Sequence, residues 1–187
     1  RIAVMFNERF ETFGVRRDQL SQAVVITKHI LAIYEYSLNP EYKPDPVASQ
    51  LGAGVGKTEA TLLAIETAMR IFKDKNPDKP LKQLLATSDD TLVKQARDIA
   101  AKGMFIDIDV YIRGRDGTYK LNGDKIDAKA ADKAPGLYIV DAVTLVEELN
   151  SIRLRNGSRL LKDVTAVVVD EVQRFLDMAD VVVDIKR

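Results

Sequence analysis

The chain has 187 residues, 46% of them apolar and 30% charged, with 28 Lys and Arg set against 28 Asp and Glu. That composition excludes a disordered tail, a collagen-like repeat and a coiled-coil rod, and the balanced charge provides no global field to draw in a polyanion, so nucleic-acid binding needs a local patch. With no cysteine, disulfides and thiolate metal sites are impossible, which suits a reducing cytoplasm. No apolar run approaches the ~20 residues of a spanning helix, and Arg1 to Phe10 lack the apolar block of a signal peptide. Membrane insertion is therefore not expected. Starting at Arg1 and stopping at Arg187 after an apolar run, the chain reads as an excerpt of a longer polypeptide.

In chain order, residues 15–38 place Leu20, Val24, Ile30, Leu31 and Tyr34 at helical spacing. The three prolines between Asn39 and Pro46 mark a loop. Val47 to Gln50 is a short strand candidate that runs into a glycine-rich turn. Thr58 to Phe72 predicts a long amphipathic helix with Leu62, Ile65, Met69 and Phe72 in one stripe, stopped by Pro77 and Pro80. Lys82 to Thr87 predicts a buried strand, and Asp89 to Lys102 a helix closed by Gly103. Ile106 to Ile112 is rich in β-formers. The turn signals Arg115-Asp116-Gly117 and Asn122-Gly123 then bracket a hairpin-like insertion. Residues 127–135 suggest a surface loop or short helix. Leu137 to Val140 is a strand, Ala142 to Leu149 a helix, and Val164 to Val169 the most hydrophobic strand. Alternating strands and helices, with strands apolar on both faces, predict an α/β fold with a mainly parallel sheet covered by helices.

Gly52-Ala53-Gly54-Val55-Gly56-Lys57-Thr58 falls between a predicted strand and a predicted helix, the context a phosphate-binding loop requires. Glycines let successive N–H groups turn inward around phosphate oxygens. Lys57 would reach the β- and γ-phosphates of ATP and Thr58 would ligate Mg²⁺. Leu51 stands where the full pattern has its first glycine. Far downstream, Val167-Val168-Val169 is followed by Asp170-Glu171, which puts two carboxylates at the C-terminal rim of a strand, where ligands of open α/β sheets bind. Asp170 would hold Mg²⁺ and Glu171 would activate the attacking water.

Together these motifs resemble helicase superfamily 2, the DEAD/DEAH-like motor ATPases, in the flavour of restriction-type translocase subunits and more distantly of the SecA preprotein motor. The resemblance implies a single RecA-like ATP-binding domain over residues 1–187. Within it, residues 1–46 form a helical adenine-recognition segment in which Gln19 of Arg16-Arg17-Asp18-Gln19 reads the base. An amide suits adenine because it both donates and accepts. Asp170-Glu171-Val172-Gln173 resembles the family's acidic box with Gln173 where His or Asp is usual. Leu85 to Ser88 with Leu92 and Gln95, and Asp141 to Thr144, correspond to its backbone-contacting elements. The resemblance further implies DNA or RNA as partner and a second RecA-like lobe supplying an arginine finger. The rival readings are a nucleotide-sensing scaffold with little turnover, and a SecA-like mover of polypeptide.

Other features carry less chemistry. Arg113, Arg115, Lys120 and Lys125 interleave with Tyr111 and Tyr119, a pattern that can hold a phosphate backbone and stack a base; Asp116, Asp124 and Asp127 dilute that charge, so a solvated hairpin is the plainer reading. Asp107 and Asp109 would share one face of a strand, a weak metal-site pattern. His29, the only histidine, reads as a packing or surface residue in its helix.

Overall fold

A computed structural model describes residues 17–41, 43–45, 56–101, 105 and 107–170. The chain divides into two compact units, residues 1–81 and 82–187.

The first unit contributes α1 (Arg17–Leu38) and α2 (Lys57–Lys75). In α1, Ala23, Thr27, Ile30 and Tyr34 recur at helical spacing and are buried. They pack on α2, where Ala60, Ala64 and Ala68 keep the surface low. The two backbones approach closely enough for the Thr27 hydroxyl to lie 3.3 Å from the carbonyl of Ala64, and the rings of Tyr34 and Phe72 meet edge to face at 5.3 Å. α2 is buried along most of its length, more fully than a single stripe from Leu62 to Phe72 implies. Asn76 closes it, its backbone and side-chain amides both donating to Phe72 O, before Pro77 and Pro80 prevent continuation. Val47–Gln50 lies outside the described residues.

The second unit is a six-stranded sheet: β1 (Lys82–Thr87), β2 (Val110–Arg113), β3 (Tyr119–Leu121), β4 (Asp124–Ile126), β5 (Gly136–Asp141) and β6 (Ala166–Val169), in the order β4-β3-β2-β5-β1-β6. β2, β5, β1 and β6 run parallel, and β3 and β4 extend one side as antiparallel hairpins. Three helices complete the unit: α3 (Asp90–Ile99), α4 (Ala128–Ala131) and α5 (Ala142–Arg153). α3 carries the chain from β1 towards β2 while α5 carries it the opposite way, from β5 to β6, so right-handed crossovers set the two helices on opposite faces. On the α5 face, Leu84, Ala86, Tyr111, Tyr119, Tyr138, Val140 and Leu145 form one buried cluster. Burial of the leucine and valine side chains contributes ~1.5–3 kcal/mol each.

Several expectations need correction. β6 is not covered on both faces: β1 and β5 are buried throughout, but Val167 is 42% exposed. Three valines secure β geometry without securing a cover. Residues 107–109 are not strand, and Asp107 adopts a left-handed φ of 58°, so Asp107 and Asp109 do not alternate on one strand; Ile106 lies outside the described residues. Among the described residues no group of three or more metal-ligating side chains gathers. The insertion is part of the main sheet, and Tyr111 and Tyr119 are buried rather than presented for stacking. Tyr111 stacks on Tyr138 at 4.8 Å and Tyr119 meets it edge-on at 6.1 Å.

A polar knot ties the N-terminal rim of the sheet. Lys82 Nζ donates to Asp132 O at 2.8 Å and Lys162 O at 3.2 Å, and sits 4.7 Å from the centre of the Tyr138 ring. Tyr119 donates to Asp132 Oδ1 at 2.6 Å. One lysine thus anchors the loops entering β5 and β6.

Candidate nucleotide site

Among the described N-termini, α2 is built differently from the rest. Asp89 caps α3 by accepting from Thr91 N and Leu92 N at 2.9 and 3.0 Å. Asp127 caps α4, and Asp141 caps α5 by accepting from Thr144 N at 2.7 Å. Gly56 instead precedes α2, with no side chain capping it. A helix start left open in this way directs N–H groups and the positive dipole end at an anion.

Gly56 is required twice over. Its φ of 70° and ψ of 46° are left-handed, a conformation that costs other residues ~1–2 kcal/mol. A Cβ at this position would also fall 2.0 Å from Nε2 of Gln19. Gln19 is buried and donates that amide to Gly56 O at 3.3 Å. The glutamine and the last glycine of the loop motif, 37 positions apart, are therefore brought together. Next along α2, Lys57 is half-buried and forms no ion pair among the described residues, and Thr58 is buried. Glu59 adds an acid to the first turn. Gly52, Ala53, Gly54 and Val55 lie outside the described residues.

In the second unit, Asp170 directly follows β6 and continues its ladder, donating its N–H to Ala86 O at 2.8 Å. Thr87 pairs with Asp141 in the β1–β5 register, so Thr87, Asp141 and Asp170 share the C-terminal rim of the sheet. Glu171 and Gln173 lie outside the described residues.

The backbone-contacting candidates fare differently. Leu85, Ala86, Thr87 and Ser88 are all buried. Carboxylates already fill the N-termini of α3 and α5. Arg115 pairs through Nε with Oδ2 of Asp141. Burial pushes the Asp141 carboxyl up, but the Thr144 N–H and the Arg115 guanidinium outweigh it and hold the group below its usual range. Arg113 is likewise committed, pairing with Glu148 at 3.2 Å over the Tyr119 ring. The partner of Asp141 is not legible in the sequence: nothing in the spacing of Arg115 signals that the β2–β3 turn reaches the end of β5.

No protein-family model, curated protein or solved structure matches the chain. No helix among the described residues is long and apolar enough to cross a membrane.

Proposed function

We propose that this chain is the RecA-like ATP-binding lobe of an ATP-dependent helicase or translocase, a single domain over residues 1–187 acting in the cytoplasm on DNA or RNA. The observation that carries the reading is the open start of α2, where a left-handed Gly56 holds Gln19 and is followed directly by Lys57 and Thr58. Glycine with φ near 70°, no capping side chain and a lysine without an ion pair among the described residues together suit a phosphate group.

The residues take distinct roles. Amides of the Gly52–Gly56 loop and the first turn of α2 surround phosphate oxygens. Lys57 neutralises charge that builds on the β- and γ-oxygens as the γ-phosphoryl group leaves. Thr58 and Asp170 would be the residues to offer oxygens to Mg²⁺, the donor type that this hard cation takes. Such an ion would supply positive charge to offset that of the phosphates. Glu171 orients the attacking water and accepts its proton, and Gln19 reads the adenine edge from its position against Gly56. A second RecA-like lobe would contribute the arginine finger, which is worth ~10³–10⁵ in rate, so this chain alone binds nucleotide but turns it over slowly.

One observation favours a second reading. Because Asp89 and Asp141 occupy the N-termini of α3 and α5, a polyanionic track would have to displace resident carboxylates. A polypeptide track, or a nucleotide-sensing module with little turnover, meets no such conflict.

Calorimetry tests the nucleotide site: Lys57→Ala should abolish Mg·ATP binding, and unchanged affinity would overturn the assignment. ATPase assays on the full-length parent protein then separate the readings. Strong stimulation by DNA or RNA supports the nucleic-acid motor, and its absence supports the alternatives.

A further inference from the structure

α5 starts at the C-terminal rim of the sheet and, at ~1.5 Å per residue, runs about 18 Å back. Its C-terminus and the loop that follows therefore lie at the opposite rim from Asp141 and Asp170. From Leu149 to Lys162 this region contains Arg153, Arg155, Arg159 and Lys162 and no acidic residue. Between and beside the cations stand Leu149, Ile152 and Leu154, which are 44%, 47% and 55% exposed. The exposed Val167 lies on the α5 side of the sheet, since it is two residues from Val169, which packs on the α5-side cluster.

The loop is held in one shape. Arg155 (φ 62°) and Gly157 (φ 73°) take left-handed conformations, and Asn156 N donates to Ser151 O at 3.0 Å. The Ser158 hydroxyl donates to Glu148 and accepts from Leu161 N at 2.9 Å. Leu160 is buried in the core, and Lys162 O accepts from Lys82. Two acids flank the region in sequence: Glu148 is already tied to Arg113 and Ser158, and the exposed Asp163 follows Lys162 directly, leaving four cations against one untied carboxylate. A loop ordered in advance loses little entropy on binding, and here the ordering leaves arginines and aliphatic side chains outward.

We propose that the C-terminal end of α5 and the loop through Lys162 form a docking surface for a protein segment that carries acidic side chains beside aliphatic ones. Charge complementarity calls for the acids. The exposed aliphatics decide the class of partner: phosphate backbones are held by cations alone or with stacking aromatics, and this patch offers no aromatic. Arginine enrichment around apolar side chains is the composition of protein–protein contacts. The surface lies at the opposite rim of the sheet from Asp170, and its occupancy does not depend on the nucleotide assignment.

The test uses the full chain and a fluorescent helical peptide with leucines on one face and glutamates on the other, followed by anisotropy. Arg153→Glu with Arg155→Glu, and separately Ile152→Ser with Leu154→Ser, should each weaken binding about tenfold, while Lys120→Glu on β3 leaves it unchanged. All four replaced side chains are exposed, and circular dichroism confirms that the variants fold. A single-stranded oligonucleotide of equal charge and phosphatidylserine vesicles should bind more weakly than the peptide. Failure of the peptide to bind saturably, indifference to either double substitution, or tighter binding of the oligonucleotide or vesicles would each overturn the proposal.

Discussion

At the scale of single residues, Gly56 concentrates the most constraint. Its conformation and its approach to Gln19 are independent demands, and two substitutions separate them. Gly56→Ala should lower stability by about 1–2 kcal/mol from the left-handed backbone alone, with a further loss from the crowded Gln19 amide. Adding Gln19→Ala removes the crowding and leaves the backbone term. Thermal melts should therefore show partial recovery in the double variant, while Mg·ATP affinity measured by calorimetry stays reduced in both. Full recovery of stability would mean that the left-handed φ carries no cost. The loop motif itself was legible in the sequence because Gly-Lys-Thr is a local pattern. The meeting of Gln19 with Gly56 was not legible, since a contact across 37 positions leaves no trace in spacing and the resemblance gave Gln19 only a role towards the base.

At the scale of elements, helix capping decides what the rim of the sheet can bind. Asp141→Ala should cost about 1–2 kcal/mol through loss of the α5 cap, read by chemical denaturation. Asp141→Asn keeps a capping oxygen and loses only the charge facing Arg115, so it should cost less. A larger loss for Asn than for Ala would show that the cap contributes little. The pH dependence follows from the same group. Because the folded carboxyl is held below its usual range, its stabilisation is complete above the unfolded value of ~3.9 and disappears as pH falls through the folded value. The Asn variant should therefore show a shallower acid limb than the parent. These elements also show what the sequence can carry. β1 and β5 are evident as apolar runs because both faces are covered, and the breaks at Asn39-Pro40 and Pro77 end their helices as expected. α5 extends to Arg153, beyond the expected Leu149, because its last turn is not signalled by a glycine or proline. The exposure of Val167 and the burial of Tyr111 and Tyr119 depend on which strand neighbours which, and strand order is a tertiary property with no local signature.

At the scale of the whole molecule, the distribution of buried tyrosines predicts how the fold responds to base. Burial pushes the Tyr34 hydroxyl well above its usual value. Burial does the same for Tyr119, reinforced by its bond to Asp132, and for Tyr138, reinforced by neighbouring Tyr111 and by Asp132 and Asp109. Tyr111 is raised by burial and by Asp109. Each of these phenols stays protonated in the folded chain at a pH where the unfolded chain, with tyrosine near ~10, has begun to lose its proton. Stability supplied by these groups is thus fully present below pH ~10 and drains away as pH rises beyond it. Lys82 opposes the trend over a lower window. Burial lowers its folded value despite Asp132, Asp163 and Glu148 nearby, so the unfolded chain holds the extra proton between the folded value and ~10.4, and stability rises with pH there. The sum is a stability that climbs through mildly alkaline solution and falls steeply above pH ~10, with release of the tyrosine protons coupled to unfolding. Following phenolate absorbance and circular dichroism together along an alkaline titration checks this: the late-titrating tyrosines should ionise in step with the loss of secondary structure. Lys82→Met should flatten the rise below pH ~10 without moving the alkaline collapse, because the tyrosines alone set that limb. If all the tyrosines titrated near pH ~10 with the helices and sheet intact, the buried stack of Tyr111, Tyr119 and Tyr138 would not be the core of the second unit.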